Sequence, residues 1–310
     1  DCRARRDRFS RRARLTPPRM PPVSQPGRPL VGVALASVCV MLFALGDTIT
    51  KALAMRNPVE QIAAVRFGVS LVVLVALGLA HPRAGVWRVQ RKGLTLLRAV
   101  ILAVATLIMG HALRLMPVGE TVAIMYLAPF AVLALSVPVL GERVSVRGWM
   151  LAALGFAGVL VILRPGAGLH PGGVALALLL AGFTTAFHLV TRVLGRSESA
   201  LGMLGYVTVV GFGIFAILSL PTLGGPVPSL GDLGLMALLG LIFTGGHFLF
   251  AAAYREAPAA LVAPVNYLHF VWAALMGWAA FDHVPDGLTV LGMALILASG
   301  SAIALGARRG

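Results

Sequence analysis

Apolar stretches of membrane-spanning length recur along most of the chain, and short breaks rich in Pro and Gly separate them. A helix needs about 20 predominantly apolar residues to cross the hydrocarbon core of a bilayer. Strands of a membrane barrel would alternate apolar and polar positions, whereas these stretches are continuously apolar, which favours helices. The pattern predicts ten transmembrane helices, at residues 30–51, 59–80, 94–114, 119–139, 146–163, 173–194, 201–220, 232–254, 259–281 and 287–306.

The chain also resembles itself at a fixed offset of 141 residues. The run at 32–36 returns at 173–177, and Tyr126 returns as Tyr267. Five helices per copy is an odd number, so the second copy is expected to cross the membrane upside down. The prediction is an all-α integral membrane protein with ten transmembrane helices in two inverted five-helix repeats, 30–163 and 173–306. Such repeats are typical of secondary transporters, whose substrate site lies between the halves.

The composition agrees with a membrane protein. The 310 residues are 58% hydrophobic and 12% charged, with a mean hydropathy of +0.91, whereas soluble domains carry about 25% charged residues. Two cysteines, Cys2 and Cys39, are too few for a disulfide framework. No zinc-binding spacing, P-loop, GxGxxG, HExxH or GxSxG sequence occurs. We therefore expect no metal, no cofactor, no ATP-driven pump and no enzyme.

The basic residues are unevenly placed. Nine of the 26 Lys and Arg residues lie in the first 28 positions. Residues 1–29 are interpreted as a basic disordered tail, with the native start at Met20. Binding of anionic lipid or nucleic acid is an alternative role for this tail, but a leader without a role is favoured, so no nucleic-acid partner is expected.

Lys and Arg between the predicted helices set the orientation. With a cytoplasmic N-terminus, eleven of them fall in inner segments and four, Lys51, Arg56, Arg114 and Arg164, fall in outer segments. Because short cytoplasmic loops carry the excess of basic residues, both termini are predicted to be cytoplasmic. We expect a multi-pass protein of a bacterial-type cytoplasmic (inner) membrane.

Several motifs resemble a known family. In the first copy these are Phe43 to Lys51, Glu60 with Arg66-Phe67, Pro117 to Pro129, and Leu140-Gly141-Glu142 followed by Gly148, Gly155 and Gly158; in the second copy they are Pro258, Pro264 to Tyr267, and Phe281-Asp282. Over residues 30–306 the chain resembles the EamA type of the drug/metabolite transporter superfamily, although Asp282 stands where many relatives have Glu. The resemblance implies a central cavity lined by helices one, three, four, six, eight and nine. It also implies export of amino acids and other metabolites, or import of riboflavin-like or S-adenosylmethionine-like compounds.

Two polar pairs occupy equivalent positions in the repeats. Asp47 and Lys51 are four residues apart on the first predicted helix, and His188 and Arg192 match them on the sixth. An ionisable group inside a span costs about 2.5–3.5 kcal/mol on insertion scales, so it is expected to face a cavity or a partner. Asp47 and His188 are therefore candidates for substrate binding and proton coupling. Lys51 and Arg192 lie nearer the helix ends and are interpreted as structural charges that extend to the membrane surface.

Further polar candidates lie on other predicted helices. Arg66 is interpreted as a structural charge paired with Asp47 or Glu60, with a substrate carboxylate as the alternative. Tyr126 and Tyr267 lie beside Pro129 and Pro264, which are expected to bend the fourth and ninth helices.

Asn266 and His269 share one face of the ninth helix with Phe270. With the two tyrosines they are candidates for binding a planar or amphipathic solute; interhelical hydrogen bonding is the alternative. His111 and His247 are weaker proton-coupling candidates, and packing is the favoured interpretation for each.

Small residues crowd the fifth and tenth predicted helices, which favours close packing of these helices, with a homodimer contact as an alternative. The sequence as a whole predicts a secondary transporter that moves a small organic metabolite by alternating access, in the direction of export. An uptake carrier is the first alternative, and a non-transporting membrane scaffold or receptor the second. The expected partners are a small-molecule substrate and the lipid bilayer.

Overall fold

The computed structural model describes residues 28–140, 144–164, 168–195, 197–222, 224–225, 227–257 and 259–306. Their regular structure is helical. The α-helices are α1 (Pro29–Ala54), α2 (Val59–Ala80), α3 (Lys92–Leu115), α4 (Val118–Met125), α5 (Leu127–Leu140), α6 (Val146–Ile162), α7 (Pro171–Leu194), α8 (Ala200–Ser219), α9 (Leu230–Glu256), α10 (Ala259–Asn266), α11 (Leu268–Phe281) and α12 (Gly287–Gly306). Short 3-10 turns occur at Pro82–Ala84 and Leu220–Thr222.

Seven helical stretches in the described residues are long and apolar enough to cross a membrane. Five of them are the helices α1, α2, α3, α7 and α9. The other two are Val118–Leu135, which contains α4 and most of α5, and Ala200–Thr222, which contains α8. Val146–Ile162 and Gly287–Ile303 are shorter apolar helices. The predicted helices therefore match the observed ones within a few residues, while the count of ten membrane spans stays a prediction.

The fourth and ninth predicted helices are each divided in two, at Tyr126 and Tyr267. Pro129 has no N–H to donate to the carbonyl of Met125, which removes a helical hydrogen bond at the first break. At the break itself, the backbone N–H of Tyr126 is shared between the carbonyls of Val122 and Ala123, at 3.1 and 3.2 Å. The second break lies three residues after Pro264. Both breaks thus fall at residues that are equivalent under the repeat.

Several large contacts between helices are related by the repeat. When each helix is replaced by its equivalent in the other copy, one contact of the pair becomes the other. Helix α1 packs on α9 just as α3 packs on α7, and α2 packs on α9 just as α3 packs on α8. The large contacts of α2 with α8 and of α6 with α12 map onto themselves. This is the arrangement expected when each copy contributes equivalent helices to one bundle.

Glycines permit the closest contact between α6 and α12. A Cβ atom on Gly158 would lie 2.7 Å from the carbonyl of Gly292, and one on Gly292 would lie 2.6 Å from the carbonyl of Gly158. The small residues of the fifth and tenth predicted helices therefore serve packing within the chain, as expected. A homodimer contact stays a prediction.

Some expectations concern residues outside the described ones. They include the tail up to residue 27 with the proposed start at Met20, the segment 141–143 of the first motif, Arg196, Pro258, and the C-terminal Arg308 and Arg309.

Candidate functional site

A cavity of about 300 Å³ lies in the middle of the bundle. Residues of α1, α2, α3 and α4 line it from one side and residues of α7, α8, α9 and α11 from the other, so both halves build its wall. Its ionisable lining residues are Asp47, Arg66, His188, His247 and His269. The rest of the wall is mainly apolar and aromatic. The family resemblance implied a lining without the second and seventh predicted helices. That expectation was wrong, because α2 and α8, which correspond to these two helices, also line the cavity.

Asp47 and His269 form the deepest polar contact of the cavity. Their side chains are about nine-tenths buried, and Asp47 Oδ2 lies 3.1 Å from His269 Nε2. The two groups are close enough for an ion pair, but the contact lacks the alignment of a hydrogen bond. Neither atom has a hydrogen-bond partner among the described residues. A buried polar atom without a partner carries a desolvation cost of about 1–3 kcal/mol, and a solute or water that hydrogen-bonds here would remove it.

Arg66 is held in the cavity wall by aromatic rings. Its guanidinium lies 4.6 Å from the ring centroid of Phe67 and 4.4 Å from that of Phe243. Nη2 donates a hydrogen bond to Thr106 Oγ1 at 3.2 Å.

The predicted ion pair of Arg66 with Asp47 or Glu60 is not formed among the described residues, where these two acids contact His269 and His111. The guanidinium has five N–H donors, so donors remain for a solute in the cavity. The expected structural role and a substrate contact are therefore compatible.

His188 and His247 face the cavity from α7 and α9. His188 packs edge-on against Phe187, and His247 against Phe43. Arg98 on α3 interacts electrostatically with both histidines.

The sequence analysis missed Arg98. Its Nε atom donates to Thr191 Oγ1 at 2.7 Å, and its guanidinium lies 4.3 Å from the centroid of the Phe187 ring. Arg98 lies inside the third predicted helix, so the embedding cost that singled out Arg66 applies to it equally.

Tyr126, Tyr267 and Asn266 form a layer next to the cavity rather than part of its lining. The Tyr126 hydroxyl donates a hydrogen bond to the backbone carbonyl of Asn266. The two tyrosine rings lie 5.3 Å apart, and the Tyr126 ring lies 6.0 Å from that of His269.

The break at Tyr267 explains this placement. Asn266 ends α10, whereas His269 lies in the first turn of α11. The sequence-based prediction that the two residues share one continuous helical face was therefore wrong. His269 reaches the cavity, and the Asn266 amide instead donates to the hydroxyl of Tyr254 at 3.5 Å. Direct contact of Tyr126, Tyr267 and Asn266 with substrate stays a prediction.

Lys51 does not extend to the membrane surface. Its Nζ atom donates to the carbonyls of Leu113 and Met116, at 2.8 and 2.7 Å. These carbonyls belong to the C-terminal end of α3, where a helix lacks internal donors and favours a cation. The same Nζ atom lies 5.4 Å from the ring centroid of Phe281, in the second half of the chain. Lys51 therefore acts as a structural charge that joins α1 to α3, and only the expectation that it extends to the membrane surface was wrong.

The remaining candidates, His111 and Arg192, are not among the residues that line the cavity. His111 Nε2 is 3.5 Å from Glu60 Oε1, and both side chains are partly exposed. Arg192 lies in the last turn of α7. Among the described residues, no group of three or more His, Cys, Asp or Glu side chains could hold a metal ion.

Comparison with known proteins matches the EamA-like transporter family twice in this chain, over residues 30–164 and 171–305. The chain belongs to the EamA-like transporter family. It is therefore a multi-pass membrane protein of a family of bacterial transporters of small molecules. The resemblance inferred from the sequence motifs is confirmed.

Three named relatives of the EamA-like family show how widely substrates differ within it. The riboflavin transporter of Rhizobium johnstonii is 29% identical over 282 residues, covering 89% of this chain and 91% of the relative. The S-adenosylmethionine uptake transporter of Rickettsia prowazekii is 25% identical over 270 residues, covering 86% and 90%. The pseudopaline exporter of Pseudomonas aeruginosa is 24% identical over 274 residues, covering 86% and 93%.

A solved crystal structure has the same fold. It superposes with a TM-score of 0.64 at 20% identity and covers 91% of this chain and 98% of its own. At this identity the likeness concerns the fold alone.

Proposed function

We propose that the protein is a secondary transporter that exports a small zwitterionic, amino-acid-like metabolite across the cytoplasmic membrane by alternating access. The single observation that carries this proposal is that a buried carboxylate, Asp47, and a guanidinium, Arg66, line one cavity of about 300 Å³. His269 contacts Asp47 in the same cavity. The Asp47 carboxylate is proposed to bind a solute ammonium group, and the free donors of Arg66 to bind a solute carboxylate.

The rest of the cavity suits the remaining part of such a solute. Phe43, Phe67, Phe187 and Phe243 all line it. Its volume lies at the lower end of the range of small-molecule pockets, about 300–1,000 Å³. A compact side chain, apolar or aromatic, matches both the size and the surface of this wall.

Export is favoured by the position of Asp47. A solute ammonium group and a proton compete for one carboxylate, since the protonated form loses its charge. If the site binds either a proton or the solute, and changes its access between the two sides only when one of them is bound, the protein exchanges protons for solute. The inward proton gradient of a bacterial membrane then drives the solute outward. His188 and His247 are the further groups that we propose for the proton path.

The alternating step is proposed to rest on two inverted five-helix repeats, 30–163 and 173–306, within ten membrane spans. The packing pairs that exchange between the copies support it, as do the equivalent breaks at Tyr126 and Tyr267. When two inverted halves exchange conformations, a site between them opens alternately to each side. Residues 1–29 remain a proposed basic tail that precedes the transport unit.

Transport into reconstituted vesicles tests the proposal. Vesicles with an acidic lumen are expected to accumulate a zwitterionic amino acid from a labelled panel, because protons leaving the lumen drive solute entry through an exchanger. Empty vesicles and vesicles without a pH gradient are the controls. If no solute in the panel accumulates above empty vesicles under either polarity of the gradient, the proposed function is wrong.

Uptake of a riboflavin-like or S-adenosylmethionine-like compound is the second candidate, favoured by two of the named relatives. The same experiment separates it from export. A proton-coupled uptake carrier accumulates solute when the outside is acidic, which is the opposite polarity. A scaffold or receptor without transport predicts binding with no accumulation under any gradient.

Reporter fusions test the proposed orientation. A fusion after Met116, at the end of α3, is expected to place the reporter outside the cell, and a fusion after Gly195, at the end of α7, inside. An alkaline phosphatase and a fluorescent protein report the two sides reciprocally. Both fusions on the same side would contradict the inverted arrangement without affecting the cavity.

A further inference from the structure

A second pocket, of about 450 Å³, lies on the outside of the bundle between α3 and α8. Its wall includes Trp87, Lys92, Leu96, Tyr206, Val209 and Val210. At a rise of 1.5 Å per residue, Leu96 lies about 6 Å along α3 from Lys92, and Val210 lies about 15 Å from the start of α8. The pocket therefore extends from a polar and aromatic rim to an apolar wall deeper in the predicted membrane.

The rim is carried by the linker of residues 81–93, which packs on the first half of α8 and on Glu198 just before it. Glu198 accepts hydrogen bonds from the backbone N–H groups of Gln90 and Arg91, both at 2.8 Å. A Cβ atom on Gly205 would lie 2.2 Å from the carbonyl of Val86, so only glycine permits the linker to approach α8 this closely. The tryptophan at the rim is thus placed by neighbouring backbone contacts on both sides.

The rim is cationic. Residues 81–93 contain Arg83, Arg88, Arg91 and Lys92 but no Asp or Glu. Glu198, which accepts two amide hydrogen bonds from this linker, has a carboxyl whose pKa is held below the usual range, chiefly by the amide hydrogen bond from Gln90. The linker itself carries four basic residues and no acidic one.

We propose that this pocket binds one phospholipid with an anionic headgroup, in the leaflet on the side of the 81–93 linker. The Lys92 ammonium binds the headgroup phosphate, and an acyl chain covers Leu96 and Val209. Trp87, on the linker, supplies an amphipathic ring of the kind that settles at the level of the headgroups, and Tyr206 lies about 9 Å from the start of α8, between this rim and the apolar wall. Charge complementarity selects an anionic lipid, and the apolar wall selects a lipid rather than free phosphate. With the proposed orientation, this is the cytoplasmic leaflet, which attracts basic segments next to the membrane.

Native mass spectrometry of the purified full chain tests this site. The chain in neutral detergent is titrated with dioleoyl-phosphatidylglycerol and, separately, with dioleoyl-phosphatidylcholine. The wild type is expected to retain one phosphatidylglycerol in preference to phosphatidylcholine. Lys92→Met is expected to weaken phosphatidylglycerol binding by about fivefold, the effect of one basic residue near the surface, and to weaken binding of the net-neutral phosphatidylcholine less, so that the preference for phosphatidylglycerol falls.

Two further variants make the result specific. Val209→Trp fills the apolar wall without changing charge and is expected to weaken both lipids. Arg83→Met removes an equal charge from the same linker but outside the pocket wall, and should change binding much less than Lys92→Met.

Three outcomes would overturn the proposal. Equal losses in Arg83→Met and Lys92→Met would show diffuse electrostatic attraction. Unchanged binding in Val209→Trp would place the lipid elsewhere. Displacement of the lipid by excess glycerol phosphate would show a headgroup site without an acyl chain. None of these readouts requires transport, so they stand apart from the proposed function.

Discussion

Asp47→Asn is expected to lower the rate of transport by about ten- to a hundredfold, since hydrogen bonds to charged groups contribute about 1.5–3 kcal/mol. The amide keeps the size of the side chain but cannot neutralise a solute ammonium group or release a proton. The residual transport should no longer respond to an imposed pH gradient. Initial rates in reconstituted vesicles, with protein abundance and thermal unfolding measured alongside, check both effects.

A matched acid elsewhere in the first half provides the control. Glu60 pairs with His111 outside the cavity, and both side chains are partly exposed. Because an ion pair that is partly exposed contributes little free energy to the folded structure, Glu60→Gln should alter the rate of transport by no more than about twofold.

His269→Gln should resemble Asp47→Asn, and the double variant should lose less than the sum of the two single losses, since the side chains act as one pair. Normal transport by Asp47→Asn, or fully additive losses, would show that the solute does not use this pair.

The helices and the charged cavity residues follow from local sequence properties. Apolar length and Pro or Gly breaks predict the helix bounds within a few residues, because a membrane allows few alternatives to a helix. The cost of embedding a charge singles out Asp47 and Arg66, and both line the cavity. The same cost identifies Arg98 once every predicted helix is searched for charges.

The partners of these residues do not follow from the sequence. Asp47 and His269 are 222 positions apart, and no short motif connects them. His269 reaches Asp47 because α11 starts anew after Tyr267, which separates His269 from the face of Asn266. Sequence spacing assumes a continuous helix, and a proline three residues away does not reveal on which side the chain resumes.

The repeat also predicts more symmetry than the structure has. Lys51 on α1 donates hydrogen bonds to carbonyls at the end of α3 and so joins the two helices. Helices α1 and α3 are in contact, whereas α7 and α9 have no comparable contact among the described residues. Under the proposed alternating access, inverted halves take up different conformations in any one state, so this difference is expected to depend on the state.

Lys51→Met is therefore expected to open the cavity on the side of the α1 C-terminus, which is proposed to be the outer side. Losing two hydrogen bonds from an ammonium group to helix-end carbonyls costs more than about 1.4 kcal/mol, so the open population should rise at least tenfold. The measurement is the rate at which a membrane-impermeant thiol reagent labels Thr50→Cys, in the cavity lining, after Cys2→Ser and Cys39→Ala remove the native thiols.

Two controls separate this effect from a general loss of structure. Lys51→Arg retains a cation with several donors and should label at close to the parental rate. Arg114→Met removes a charge at the same end of α3 without touching the Lys51 contacts, and should also leave labelling unchanged. If Lys51→Met labels no faster than its parent, or if Arg114→Met labels equally fast, the Lys51 contact does not close the cavity, and closure must depend on the packing of α1 and α3 alone.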